Sequence, residues 1–333
     1  SQDGGSFMSI QKIARLAGVS VATVSRVLNN SDSVKTKNRE RVLAAIRECN
    51  YQPNLLARQL RTSRSSMILV MVSDIGNPFC ADVVKGIEEQ AEKNGYRILL
   101  CNSGADPQRS RSGLTLLSGK MVDGIITMDA TSRLPELTTL IGRMPWVQCA
   151  EHAESGDISC VGINDHQASG HVVNFLLSQG YRRVALINHD LNYKYARFRE
   201  AGYLDALRQA DNDYSAIEYA SDLSFAAGKA AMDNLLKTEP RPDAVFAISD
   251  TLAAGAMRAI QDAGLSIPGD IAMVGFDGIP LAEMVSPQLT TIEQPSADIG
   301  RQAVRLLLNK IEHPDSDAER LVLDWRLVVR SSS

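Results

Sequence analysis

The stretch "SIQKIARLAGVSVATVSRVLNN", residues 9–30, decides how the rest of the chain is read. Ser9 offers a side-chain oxygen to the first free amides of a helix, Ile10, Ile13, Ala14 and Ala17 recur at helical spacing, and Gly18 supplies the stop. Two residues later Ser20 caps again, and Val24, Val27 and Leu28 form the inward stripe of a second short helix. Two such helices joined by a Gly-containing turn are a helix-turn-helix. A third helix is expected from Thr36, with Val42, Leu43 and Ile46 inward and Lys35, Lys37, Arg39 and Arg41 around its start. On the second helix, Ala22, Ser25, Arg26 and Asn29 share the face opposite Val24 and Leu28, and Val21 and Ala22 set bare methyl groups beside the cation of Arg26.

Charge explains what such a face meets. Residues 1–66 hold eleven Lys/Arg against four Asp/Glu, a net of +7, so the overall −4 leaves −11 on the other 267 residues. A small basic head on a large acidic body implies that the head binds a polyanion and the body does not. Arg26 can donate two hydrogen bonds to a guanine edge in the major groove, while Val21 and Ala22 offer apolar contact suited to thymine methyls.

With 333 residues, 44% hydrophobic, 22% charged and 5% aromatic, the chain has the composition of a soluble protein of two or three domains. No apolar run approaches a membrane span and the N-terminus lacks a signal peptide pattern, so a cytoplasmic location and no membrane partner are expected. The Gly-rich "SQDGGSF" before Met8 is set aside from the fold. Cys49, Cys80, Cys101, Cys149 and Cys160 form no C-x-x-C pair, the His residues have no ligand spacing, and neither a metal nor a cofactor is expected.

After "NYQP", the segment "NLLARQLRTSRSS" (54–66) is a linker containing a short helix-capable stretch that binding would have to fold. From Met67 the pattern changes to alternating strands and helices: "MILVMV", "CADVVKGIEEQAEKNG", "YRILLC", "RSGLTLLSGK" and "DGIITM", then the same order again from "RRVALI" to "DAVFAI". Two doubly wound α/β subdomains follow from this. Such sheets bind ligands beyond the carboxyl ends of their strands, which brings forward Ser73, Asp74, Asn102, Asp129, Glu151, Ser249, Asp250 and Asp277. Each also reads as a helix cap or a loop acid; together they suit a hydroxyl-rich ligand, because ionised carboxylates accept hydrogen bonds from hydroxyls.

The segments "MSIQKIARLAGVSVATVSRVLNN", "YQPNLLARQLR", "VSDIGNPFCADVVKGIE", "ISDTLAAGAMRAI", "DIAMVGFDGIP" and "LTTIEQP", in that order, resemble the LacI/GalR family of bacterial transcriptional regulators from Met8 to the end of "LVLDWRLVVR". The resemblance implies a helix-turn-helix DNA-binding domain (8–53), a hinge helix and linker (54–66), and a periplasmic-binding-protein-like body (67–330) that dimerises and holds an effector. Subdomain one is expected over about 67–163 and 293–318, and subdomain two over about 164–292 and 319–330, with the helix near 296–312 returning to the first and the last strand to the second.

By match to the family motif, Val21, Ala22 and Arg26 read bases, and Ser9, Ser20, Thr23, Ser25 and Asn29 sit near phosphates. Leu60 matches a wedge leucine of the minor groove, with Asn54, Ala57 and Arg61 beside it; it could equally pack on the first strand. In the body Arg199 matches the effector-binding arginine and Asp250 and Asp277 the ligand-facing acids, with Asp74, Asn77, Phe79, Asp129, Glu151 and Ser249 completing the expected pocket. Cys80, Ser249 and "NHDLNYKY" depart from the commoner family residues around that pocket.

The implied function is a repressor of a catabolic or transport operon that binds a palindromic double-stranded operator as a homodimer under control of a sugar or nucleoside. A cytoplasmic solute-binding protein without operator-specific regulation is the alternative, which leaves the +7 head unused. An enzyme is not expected: the sequence has no dinucleotide fingerprint after the first strand, no Walker loop, no nucleophile elbow and no metal set. No heptad tail follows the last strand, which favours a dimer over a tetramer.

Overall fold

The computed structural model describes residues 10–29, 32–49, 51, 64–104, 106–118, 121–128, 139–150 and 156–333. The chain divides into two compact units, Ser1–Arg64 and Ser65–Ser333. In the first, helices α1 (Ile10–Ala17), α2 (Val21–Leu28) and α3 (Thr36–Glu48) close a small core on Ile13, Ala14, Ala17, Val24, Val27, Val42 and Ala45. Ser20 caps α2 as its sequence position requires, its Oγ accepting the Thr23 amide at 3.1 Å. Gly18 turns the chain between α1 and α2 with φ +60°, where a Cβ would strike the Arg41 guanidinium. One inward expectation is corrected: Leu43 is 40% exposed, because Val42 and Ala45 already fill the narrow seam that α3 presents to α1 and α2.

The second unit contains two six-stranded sheets of the same strand order. The first runs β11-β5-β4-β3-β1-β2 and the second β12-β10-β9-β8-β6-β7. Their strands are β1 (Met67–Val72), β2 (Arg97–Asn102), β3 (Gly124–Thr127), β4 (Trp146–Cys149), β5 (Ser159–Ile163) and β11 (Arg320–Leu323), and then β6 (Val184–Asn188), β7 (Ile217–Tyr219), β8 (Ala244–Ala247), β9 (Ala272–Asp277), β10 (Thr290–Glu293) and β12 (Arg326–Val328). All pairings are parallel except β10 with β12. Central strands such as Ile68–Val72 and Ala244–Ala247 are buried throughout, as apolar runs covered on both faces must be. The order reverses at β1 in one sheet and at β6 in the other, which opens a crevice at each of these switch points.

The chain crosses between the sheets after β5, after β10 and between β11 and β12. Helix Ser296–Glu312 returns to pack on helix Pro78–Lys93 and on β3, β4 and β5 of the first sheet. The expectation that residues 319–330 belong wholly to the second subdomain is corrected. Arg320–Leu323 pairs with β5 of the first sheet, and only Arg326–Val328 joins the second, with Asp324 and Trp325 spanning the gap. Where the chain enters the first sheet, Asp123 accepts three hydrogen bonds, from the Ser65 amide and hydroxyl and from the Ser66 amide, at 2.7–2.9 Å.

Helices Pro78–Lys93 and Ser296–Glu312 approach backbone to backbone. A Cβ on Gly86 would strike the Ala297 carbonyl oxygen, and one on Gly300 the Val83 carbonyl oxygen. Overpacking of this kind costs about 1–3 kcal/mol. Gly86→Val is therefore expected to lower the stability of the second unit by a matching amount in urea denaturation of the whole chain, with the m value unchanged.

Candidate functional site

The described part of the basic head presents one face without core duties. Val21, Ala22, Arg26 and Asn29 are exposed, Thr23 and Ser25 are half-buried, and Ser20 is exposed with its hydroxyl 2.9 Å from that of Thr23. Amphipathicity accounts for this arrangement: Val24 and Val27 are inward, so the intervening side chains of an eight-residue helix point away from α1 and α3. Ser9, Asn54, Ala57, Leu60 and Arg61 lie outside the described residues, as do Asp129 and Glu151 of the body.

At the carboxyl ends of the two sheets lies a cleft of two connected chambers. The inner one is lined by Asn77 and Phe79 from the first subdomain and by Tyr195, Arg199, Ser249 and Asp277 from the second, among others. Ser73, Asn77, Tyr195, Leu223 and Ser249 also line the outer, solvent-open chamber, where Asp74 and Asn102 face His189, Tyr193 and Asp222.

Arg199, on helix Lys194–Gln209, is buried and rigidly held. Its Nε donates to Asp165 Oδ1 at 2.8 Å and its Nη1 to the Ile248 carbonyl at 2.7 Å. The guanidinium carbon also lies 3.7 Å from the Phe276 ring centroid and 5.1 Å from that of Tyr195. Asp277 ends β9 in the left-handed region, φ +115°, which puts its carboxyl group into the inner chamber, where Gln294 Nε2 donates to Oδ1 at 2.9 Å. Burial pushes its pKa up to about 8, against the pull of Arg199 and with the added push of Asp250 and Asp165.

Asp250 departs from its expected role. It is fully buried and absent from the lining of either chamber. Its Oδ2 accepts the Gly278 and Ile279 amides, both at 2.9 Å, and its Oδ1 the Thr291 hydroxyl at 2.6 Å. Burial raises its pKa to about 7, although those three donors act the other way. Asp250 thus positions the turn after Asp277 and lies behind the lining of both chambers. Its neighbour Ser249 does line the cleft while capping the following helix through Leu252 at 3.2 Å. Asn77 likewise lines the cleft while its Oδ1 caps helix Pro78–Lys93 through the Phe79 amide at 3.0 Å. Asp74 and Asn102 line the outer chamber only.

Sequence reasoning missed Asp165, Gln294 and Tyr195. Tyr195 carries a readable signal, since it lies four residues before Arg199 and therefore on the same helix face. Asp165 and Gln294 each follow a strand, as the chosen residues do, but nothing in their local sequence tells which buried group they hold. Among the described residues no cluster of His, Cys, Asp and Glu is arranged to hold a metal ion, and no helix is long and apolar enough to cross a membrane.

Residues 9–54 match bacterial regulatory proteins of the lacI family, and residues 173–333 match the periplasmic binding protein-like domain. The ribose operon repressor of Haemophilus influenzae is 36% identical to this chain, over 97% of it and 98% of the relative. The chain belongs to the LacI family. Its fold matches the lac repressor dimer bound to operator and an anti-inducer with a TM-score of 0.87, at 27% identity over 98% of each chain. A LacI family regulator from Enterococcus faecium with bound ribose matches with a TM-score of 0.73, at 28% identity over 80% of this chain and 98% of that one.

Two outcomes test the electrostatics. Because the folded Asp277 holds its proton up to about pH 8 while an unfolded aspartate loses it near pH 4, its contribution to stability is full below about pH 4 and is lost as pH rises through 8. Asp277→Asn, which tolerates the positive φ, should flatten the fall in urea stability between pH 5 and 8 relative to the natural chain. Arg199→Ala leaves Asp165 buried and unpaired, an expected cost of about 3–5 kcal/mol, and adding Asp165→Asn should recover part of it in the same denaturation assay.

Proposed function

We propose that this protein is a sequence-specific, non-enzymatic DNA-binding repressor that acts as a homodimer on a palindromic operator, with affinity set by a small sugar-containing effector in the cleft. The DNA role rests on one observation above others. The exposed face of α2, carrying Val21, Ala22 and Arg26, belongs to a head of net charge +7 on a body of −11, so a cation and two methyl-bearing apolar side chains are aimed outward where a polyanion is favoured. The ribose operon repressor and the operator-bound lac repressor dimer, both similar over nearly the whole chain, support the same reading.

For the effector, Arg199 and Asp277 supply a donor fork and a carboxyl group in one small chamber whose remaining lining is largely apolar, including Phe79, Met128 and Leu223. That combination suits a ring with vicinal hydroxyls on its edge and C–H groups on its faces. The ribose held by the similar Enterococcus faecium regulator fits this chemistry. We further assign the linker residues Asn54, Ala57, Leu60 and Arg61 to the minor groove, as the family motif implies, and Asp129 and Glu151 to the effector site, as polar residues that directly follow strands in the sequence.

An electrophoretic shift with a panel of palindromic duplexes at several salt concentrations tests the DNA reading. Arg26→Ala should cost about 1–3 kcal/mol on the preferred operator and relax the preference at one base pair. Changes at Val21 or Ala22 should alter which duplex is chosen, whereas Ser20→Ala should weaken all of them alike. Binding indifferent to sequence and to the palindrome would sink the proposal.

A further inference from the structure

The inner chamber accounts for one hydroxylated ring, and this inference rests on that reading of the effector site. The outer chamber, several times larger than the inner, is shaped by groups that a single ring would not reach. Its second-subdomain wall is a row of rings stepping outward from Arg199. The Tyr195 ring lies 5.1 Å from the guanidinium carbon, Tyr193 is centred 5.4 Å from Tyr195 at 32°, and His189 stacks on Tyr193 at 5.1 Å and 21°. Tyr195 lines both chambers, so the row is continuous with the sugar-sized pocket and not a separate surface.

The charge of this chamber is one-sided. Asp74, Asp190 and Asp222 line it, and no Lys or Arg does so among the described lining residues. Each of these carboxylates already accepts a turn amide, from Gly76, Asn192 and Ser224 respectively. A carboxylate has about four acceptor positions, so capacity remains for ligand donors. An anionic group placed here would meet three like charges, with His189 as the one side chain in the described lining able to carry a positive charge, whereas neutral O–H or N–H donors are favoured.

We propose that the effector is an uncharged glycoside of two rings: a hydroxylated ring on Arg199 and Asp277 in the inner chamber, joined to a second ring that lies on Tyr193 and Tyr195 in the outer one. A heterocyclic base and a second sugar share the chemistry required, a face that packs on an aromatic ring and an edge bearing neutral donors for the acids and for Asn102. A bare monosaccharide leaves the tyrosine row wet. A sugar phosphate or nucleotide puts its charge against Asp74, Asp190 and Asp222.

The test is calorimetric titration of the full-length protein with ribose and glucose, with uridine and adenosine, with cellobiose and sucrose, and with ribose 5-phosphate and glucose 6-phosphate. At least one uncharged glycoside should bind about tenfold or more tightly than its own monosaccharide. Tyr193→Ala should erase most of that ratio and Tyr193→Phe should keep it. A response confined to nucleosides identifies the second ring as a base; one confined to disaccharides identifies it as a sugar. Monosaccharides binding as tightly as their glycosides, or a phosphate ester binding more tightly than its uncharged parent, would overturn the two-ring assignment while leaving the sugar site in place. Binding by no member of the panel would overturn both.

Discussion

The ion pair between Arg199 and Asp165 is the constraint on which the cleft depends. Burying a guanidinium costs several kcal/mol unless its donors and its charge are met, and here a carboxylate, a carbonyl and two aromatic faces meet them. What remains of the fork borders the inner chamber with its direction already fixed, so a ligand does not have to order it on binding. Asp165 is also the first residue of the helix that follows the crossing after β5. The group that orients the arginine is therefore part of the hinge, and the geometry of the crossing and that of the site are not independent.

The second crossing repeats this economy. Gln294, directly after β10, holds the carboxyl group of Asp277, and Thr291 within β10 donates to Asp250, which in turn fixes the turn at Gly278 and Ile279. At the third, Trp325 sits between β11 and β12 with its ring 5.2 Å from that of His171 on helix Asp165–Ser178. Two of three crossings thus touch groups that line the cleft or hold them, and the third packs on the helix begun by Asp165. Arg199 and Asp277 are each held by a residue that stands at a crossing.

This distribution explains what was legible in the sequence and what was not. Periodicity found the helix-turn-helix and the alternation of strands and helices, because apolar runs and caps are local signals: Ser20 caps α2 as read, and Ile68–Val72 is buried as a central strand must be. "LVLDWRLVVR" reads as one strand because nothing local marks Asp324 and Trp325 as the point where the chain changes sheets. The same limit separates Ser249 from Asp250. Both follow a strand and both are polar, yet which of two neighbours faces the cleft is set by the turn at Gly278, far along the chain. Leu43 failed for a related reason, since a helix in a three-helix unit buries a narrower stripe than its apolar residues allow. Asp165 and Gln294 were invisible because their partners, Arg199 and Asp277, are brought beside them by the packing of two helices and the pairing of β9 with β10, between segments that carry no local sign of one another.

Regulation places a further demand on the ligand. The chain begins its second unit at Ser65 and Ser66, clamped to Asp123 of the first sheet, whereas Arg199 and Asp277 stand on the second. Whatever an effector changes must reach the linker through the first sheet, because that is where the linker is tied. A molecule that touched only one wall would gain no contact when the two sheets approach, and a ligand of equal affinity for every arrangement shifts no equilibrium however tight it is. On the proposed reading, the contacts that turn binding into a signal are therefore those on the opposite wall, Asn77 and Phe79 at the start of helix Pro78–Lys93 and Asp74 in the loop before it. Asn77 caps that helix with its own side chain, so a ligand that engages it acts on the end of an element packed along Ser296–Glu312, which leads back to the crossing at Gln294. On the proposed reading, Arg199 and Asp277 hold the ligand, and the wall that carries Asn77 and Phe79 connects it to the sheet on which the linker is tied.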